Sequence, residues 1–533
     1  MMKHSLLFFS FLFLGLGILP AQVFDEQFDD WPVKTRIGGV LVLADRLDEV
    51  AVLKKVIEGD KGNAVVRMFV DDRASDEKIE TLESIFDEGK ITKYAATKEF
   101  SEPLEKALRG SDIFCWHTPA ILTSAEIAHV IASAKLLQDY LDQGGRLVPT
   151  GKIATLAGKL ADNGTETLQV GLNLLPDAIL QSGGSINDVR MLQHLGDHPR
   201  AVGVSLKSNT ALVLSGRIVQ VVGGSAKLTL PAGKFHKVKT QTLSRTRGSR
   251  GIADWTQWRR ESIDRTLSQF PPAKPQTPMV ENGTLLIVGG GRSPRGLMSR
   301  FVELAGGRKK AKLVYVACSE AEEVSARQST VSAWKSMGVK SATFIHTKDR
   351  NKANSDEEFL AALKDATGVW FGGGRQWNFS DSYYGTKAHE LMKDVLKRGG
   401  VIGGSSAGAS IQARYLARST PIGNSQIMAP GYERGGLGFI SGVAIDQHFS
   451  QRGRQKDMTQ LVNRYPQLLG IGIDEGTAIE VQKSVAKVVG NGRVFFYDKA
   501  AKVKDGAEDY IALAAGSVYD LAERKIEVDK REP

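Results

Sequence analysis

Cysteine is nearly absent from this chain of 533 residues: there are two, Cys115 and Cys318. That excludes a disulfide scaffold and a cysteine-rich zinc site. Both cysteines stand in apolar runs, DIFCWH and LVYVACS, and read as buried thiols. A basic stripe interleaved with aromatics is also missing, as is zinc-finger spacing. The excess of 70 Lys and Arg over 60 Asp and Glu, a net charge of +10, therefore points away from nucleic acid. The densest basic stretch, residues 234–250 (KFHKVKTQTLSRTRGSR), reads as an exposed edge and linker. Beyond the first 22 residues no apolar run is long enough to span a bilayer. Apolar residues at 42% and charged residues at 24% are an ordinary globular mix, which excludes wholesale disorder, collagen and coiled coil.

The first 22 residues, MMKHSLLFFSFLFLGLGILPAQ, carry Lys3 and His4 ahead of an apolar run from Ser5 to Leu19. A charged head, a short apolar core and a small residue after it predict a secretory signal peptide over residues 1–21, cut after Ala21. An uncleaved anchor is the alternative. No cysteine follows the run, so a lipid anchor has no support. The expected location is secreted or periplasmic, with no stable membrane anchor.

The remaining chain repeats itself. LLQDYLDQGGRLVPTGKIATL from Leu136 lies beside LMKDVLKRGGVIGGSSAGASI from Leu391, at an offset of 255. AVGVSLKSNTALVLSGRIVQVVGG from Ala201 lies beside LLGIGIDEGTAIEVQKSVAKVVGN from Leu468, at 267. Two long matches in one order predict a tandem duplication. Each half opens on an apolar strand, GGVLVLAD or GTLLIVGG, and then alternates strands with amphipathic helices. The expected fold is α/β: two lobes with mainly parallel sheets flanked by helices, the first a degenerate copy. The expected boundaries are 36–244 for the first lobe, 245–282 for a partly helical linker and 283–533 for the second lobe.

The chemistry concentrates in the second lobe. Gly404-Ser405-Ser406-Ala407-Gly408 fits G-x-S-x-G between an apolar strand and a new helix. A nucleophilic serine must project from a tight turn, and only small neighbours leave it room. The following helix aims free N–H groups at the oxyanion that forms. Seen alone, the motif also describes any glycine-rich βα turn. A serine needs a base, and His448 follows the strand-like GVAID. The imidazole needs an orienting acid, and Asp474 and Glu475 end the next strand. Against these positions the first half offers Gly151, Ser208 and, with one gap, Ser182. Scaffold persists in both copies; nucleophile, base and acid do not.

Four motifs then resemble the cyanophycinase and aspartyl dipeptidase (dipeptidase E) family of serine peptidases, and cyanophycinase more than the dipeptidase. They are FGGGRQ at 371–376, GGSSAGASI at 403–411, GVAIDQHFSQRGR at 442–454 and GIGIDEGTAIEV at 470–481. The resemblance covers residues 283–500. It implies lobes like the class I glutamine amidotransferases and a triad in the order Ser406, His448, Glu475. It implies Gly374 and the N–H of Ala407 as the oxyanion hole, with Gln376, Gln447, Arg452 and Arg454 around a β-aspartyl-arginine unit. Two arginines there suit bidentate carboxylate binding. No metal and no organic cofactor is implied. The family carries an arginine then a leucine where this chain has Asp457-Met458, and an acid there would repel a substrate carboxylate. Some readings of the family place an acid between serine and histidine, where STPIGNSQ offers Asn424. Family members resemble homodimers of one such lobe, so the first lobe is expected to act as an intramolecular partner. The expected activity is that of an exported serine exopeptidase acting on cyanophycin or related β-aspartyl peptides. The alternative is a secreted binding pseudoenzyme.

Overall fold

A computed structural model describes residues 37–44, 65–70, 80, 91–95, 101–118, 122–245, 250–423, 425–501 and 508–530. The expected signal peptide and Asn424 lie outside the described residues. Among the described residues four sheets form, two large and two small.

The larger sheet of the carboxy-terminal lobe runs Ser341–Ile345, Lys312–Val316, Gly368–Phe371, Val401–Ser405, Val280–Val288, Thr477–Lys483, Val485–Gly490, Val518–Asp520 and Lys525–Val528. The first five strands are mutually parallel and the rest join antiparallel. The large sheet of the first lobe runs Ile91–Ala95, Val66–Val70, Ile113–Thr118, Arg146–Gly151, Ile37–Ala44, Thr210–Gly216, Ile218–Gly223 and Ile252–Asp254. Its first five strands are parallel too, and the last three are antiparallel additions. The same strand order thus recurs in both lobes.

The small sheets follow suit. Ala413–Tyr415, Ile440–Gln447, Leu469–Ile473, Val494–Tyr497 and Ile511–Leu513 lie in that order. Gly158–Ala161, Leu175–Ser182, Val202–Leu206, Ser225–Leu230 and Lys239–Ser244 do the same, with Gln169–Val170 at the far edge. The architecture is α/β, but the sheets are mixed rather than mainly parallel. The hairpin that follows the acid-bearing strand folds back antiparallel in each half, because a short turn can only reverse the chain.

Local chemistry explains the helix that leads to the central strand. Thr386 caps Lys387–Lys397 by accepting from the N–H of His389. Ala388, Leu391, Met392 and Val395 make its buried stripe. Gly399, at φ 85°, ends it in a left-handed turn that lets the chain enter Val401–Ser405. In the first lobe Gly144, at φ 99°, does the same after Ala134–Asp142. Each lobe has its own apolar core, one including Leu285, Ile287, Val369 and Ile402, the other Leu41, Leu43, Phe114 and Leu147.

The segment expected to be a linker is more than that. Ile252–Asp254 pairs with Ile218–Gly223 at the edge of the first sheet. Asp254 then caps Trp255–Asp264 by accepting from the N–H of Gln257. Trp255 and Trp258 of that helix sit in the first-lobe core. Two indoles at positions i and i+3 bury too much apolar area to stay in a solvated connector.

Candidate active site

Ser406 leaves the central strand at φ 57°, ψ −112°, a conformation that L-residues seldom adopt. Its N–H donates to the carbonyl of Val288 on the neighbouring strand at 3.0 Å, which anchors the turn. The flanking glycines are needed sterically. A Cβ on Gly404 would lie 2.3 Å from the carbonyl oxygen of Gly408, and one on Gly408 would lie 2.1 Å from that of Phe371. Ala407 opens the next helix, so its N–H is one of those a helix leaves without an intrahelical acceptor.

His448 follows the Ile440–Gln447 strand at φ 49°, and its N–H donates to the carbonyl of Gly289 at 2.7 Å. This presents the ring to the serine: Ser406 Oγ and His448 Nε2 are 2.8 Å apart. On the other edge His448 Nδ1 is 2.5 Å from Glu475 Oε1. Nδ1 therefore carries the proton toward the carboxylate, and Nε2 is free to accept from the hydroxyl. Burial holds His448 below the ordinary histidine range; Glu475 opposes that shift and Arg452 adds to it. The ring is accordingly neutral at neutral pH, as an accepting base must be.

The two acids at the end of Leu469–Ile473 divide the work. Asp474 Oδ1 accepts from Ser450 N–H at 2.9 Å and from Ser450 Oγ at 2.5 Å, which holds the loop after the histidine. Glu475 alone meets the imidazole, and its N–H donates to Gln451 Oε1 at 3.0 Å.

Three glycines that sequence reasoning did not single out close the site. Gly289, Gly290 and Gly291 follow Val280–Val288 and pass over the relay. A Cβ on Gly290 would meet His448 Cε1 at 2.3 Å, and one on Gly291 would meet Glu475 Oε2 at 2.8 Å. The visible signal was the run of three glycines at a strand end. On the opposite side Gly373 comes nearest to the serine, its Cβ position lying 3.6 Å from Ser406 Cβ. Gly374, at φ 148°, packs against Cys318, whose thiol donates to Arg375 O at 3.1 Å. Burial pushes both thiols up to about 12; Cys115 is fully buried and Cys318 half-buried.

The four expected substrate contacts separate. Arg452 is exposed beside the histidine. Arg454 is buried, and its Nη1 donates to Asp446 Oδ1 and to Gln447 O, both at 2.7 Å, and to Gln447 Oε1 at 3.1 Å. Gln376 is buried too, donating to Arg418 O at 2.9 Å. Arg418 was not anticipated. It bridges Asp446 at 2.9 Å and Asp457 at 2.6 Å. The expectation that Asp457 repels a substrate carboxylate is thereby revised, because its charge is already met by a buried guanidinium. Among the described residues no cluster of three or more His, Cys, Asp or Glu could hold a metal ion, and no helix is long and apolar enough to cross a membrane.

Sheet register identifies the first-lobe counterparts. Ser405 pairs with Val288 as Thr150 pairs with Ala44, so Gly151 matches Ser406. Gln447 pairs with Ile473 as Ser182 pairs with Leu206. Hence Ser182 matches Gln447, and the counterpart of His448 is Gly183, not Ser182 as the gapped alignment suggested. Gly183 even shares the left-handed backbone, at φ 52°. Ser208 remains the counterpart of Glu475.

Residues 285–489 match the family model of Peptidase family S51. The chain is a serine-type peptidase and resembles the cyanophycinase and dipeptidase E family. It is 29% identical over 240 residues to a cyanophycinase of Geminocystis herdmanii, which covers 43% of this chain and 88% of that protein. It is 26% identical over 228 residues to a cyanophycinase of Trichormus variabilis, covering 42% of this chain and 76% of that protein. The crystal structure of a peptidase from an acI-B1 Actinobacterium covers 45% of this chain and 97% of its own, at 21% identity and a TM-score of 0.34.

Proposed function

We propose that this chain is an exported serine exopeptidase of cyanophycinase type, which hydrolyses cyanophycin or a related β-aspartyl peptide through Ser406, His448 and Glu475. The observation that carries the reading is the unbroken relay from hydroxyl to imidazole to carboxylate, with contacts of 2.8 and 2.5 Å. His448 Nε2 takes the Ser406 proton as Oγ adds to the amide carbonyl carbon. The N–H groups of Gly374 and Ala407 receive the oxyanion. Collapse expels the amine, which takes the proton back from His448, and leaves an ester on Ser406. Water, deprotonated by the same nitrogen, releases the new carboxylate. Glu475 stays ionised and stabilises the imidazolium.

Exposed Arg452 is the group best placed to meet a free carboxylate on the substrate. The buried Asp446, Arg454 and Arg418 cluster shapes the wall behind it. The reading also takes the two lobes as products of a tandem duplication, the first having lost its chemistry and serving as an intramolecular partner. It takes the amino-terminal segment as an export signal. The matching strand orders support the former and the apolar run the latter.

The test is to incubate the purified protein with cyanophycin and with isoaspartyl dipeptides, and to follow products by mass spectrometry. Release of β-aspartyl-arginine that stops in Ser406→Ala is the expected result. A second reading, a binding pseudoenzyme, draws on the first lobe, whose elbow carries Gly151. A fluorophosphonate probe decides between them, since only an activated Ser406 is labelled.

A further inference from the structure

Asp381 lies in the Trp377–Tyr383 helix, which follows the glycine turn beside Ser406 almost at once. Its carboxylate is buried and both of its oxygens are taken by the other lobe. Arg260 Nη1 donates to Oδ1 at 2.6 Å, and Arg217 Nη1 donates to Oδ2. Arg260 stands on the Trp255–Asp264 helix, and Arg217 in the turn between Thr210–Gly216 and Ile218–Gly223. Arg217 is itself steadied by Asp254, with Nη2 to Oδ1 at 3.0 Å and Nε to Oδ2 at 2.7 Å. It also donates to the hydroxyl of Tyr432, and its guanidinium lies 5.5 Å from the ring of Trp377. Arg217, Arg260, Asp254 and Asp381 thus meet in a buried seam between the lobes, and Arg350 donates to the backbone carbonyl of Asp381 at 3.3 Å.

The helix is welded to the glycine turn. Asn378 N–H donates to Arg375 O at 3.0 Å, and Phe379 N–H donates to Gln376 O at 3.0 Å. With a rise of about 1.5 Å per residue, Asp381 stands only about 6 Å along the axis from Trp377, which is three residues after Gly374. A tilt at one end is felt at the other. A buried charge cluster is also a poor device for stability alone, because desolvation offsets most of the attraction.

We propose that Asp381 is a positioning residue, through which Arg217 and Arg260 of the first lobe hold the oxyanion turn of the second in working register. This deepens the proposed function and rests on it. The non-catalytic lobe then supplies alignment rather than chemistry. An oxyanion donor is effective over a window only about 0.4 Å wide, between about 2.7 and 3.1 Å from the developing charge.

The experiment uses the full chain and the rate of fluorophosphonate labelling at Ser406, with melting temperature measured alongside. Removing one charge of each sign, in R217Q/D381N, leaves the net charge of the seam unchanged. Melting is expected to recover relative to Asp381→Asn alone, while labelling stays on the order of 10- to 100-fold slower than wild type. The pH midpoint of labelling is expected not to move, because His448 is untouched. A double variant that melts and labels like wild type overturns the proposal, and so does a loss accompanied by a shifted midpoint. If the double variant does not fold, Arg260→Lys answers the same question: it keeps the charge but loses the planar fork. Slower labelling at wild-type melting supports the clamp, and an unchanged rate overturns it. A wild-type chain that never labels overturns the proposed function and this inference together. A labelled wild type with an equally fast variant overturns the clamp alone.

Discussion

At the end of its central strand the first lobe turns through Gly151 at φ 63°, ψ −133°, and the second turns through Ser406 at φ 57°, ψ −112°. The two backbones are nearly superimposable in torsion, yet one turn carries a hydroxyl and the other nothing. The next loop repeats the lesson, with Gly183 at φ 52° where His448 sits at φ 49°. The sharp turns are therefore properties of the fold, forced where a strand must pass directly into a helix or loop. The second lobe carries side chains there, where a glycine would be easier, and the first lobe has glycine in both places, where no Cβ resists a positive φ.

This comparison can be broken by exchanging residues between lobes. The largest effect is expected from Ser406→Gly, which copies the first lobe: hydrolysis should fall by a factor on the order of 10⁴ or more, while melting temperature stays level or rises. Activity surviving that change would remove Ser406 from the mechanism. His448→Gly should cost as much, and combining it with Ser406→Gly should add little, since the pair acts as one unit. A kinetic double-mutant cycle reads this. Glu475→Ser should lose roughly 10³-fold, less than the other two, because an unoriented imidazole still accepts a proton.

The pH profile sharpens the same contrast. The base works only when neutral, so rate should be lost as pH falls through the His448 pKa. Burial places that limb below the ordinary histidine range, with Arg452 contributing. Arg452→Gln should therefore move the acid limb upward by a small amount that shrinks with added salt. A downward move would contradict the charge assignment. Least of all should happen in the reverse exchange. Gly151→Ser should gain no fluorophosphonate labelling, since Gly183 and Ser208 offer neither base nor acid. It should cost about 1–2 kcal/mol from the positive φ, measured by chemical denaturation.

Much of the second lobe was legible because its chemistry is local. The elbow glycines follow from a serine on a tight turn, and the apolar run GTLLIVGG lies in the strand Val280–Val288 as expected. The repeat likewise marked both lobes. Other features were not legible. The antiparallel hairpins made the sheets mixed, and the linker, helical in part as expected, also adds an edge strand and buries its helix against the first-lobe core. Gly183 rather than Ser182 is the counterpart of His448, because a gap placed by letter similarity does not know which residues pair across strands. Arg418, the partner of Asp457, lies 39 residues from it and shares no motif with it.

The apolar strands and the tight turn around Ser406 were determined by the amino-acid string alone, since each depends on neighbours within a few residues. Which acid meets the imidazole and which arginine stays exposed were decided only on folding. Those outcomes depend on distances between strand ends far apart in the chain, and on which charges the packed interior could afford to leave in water.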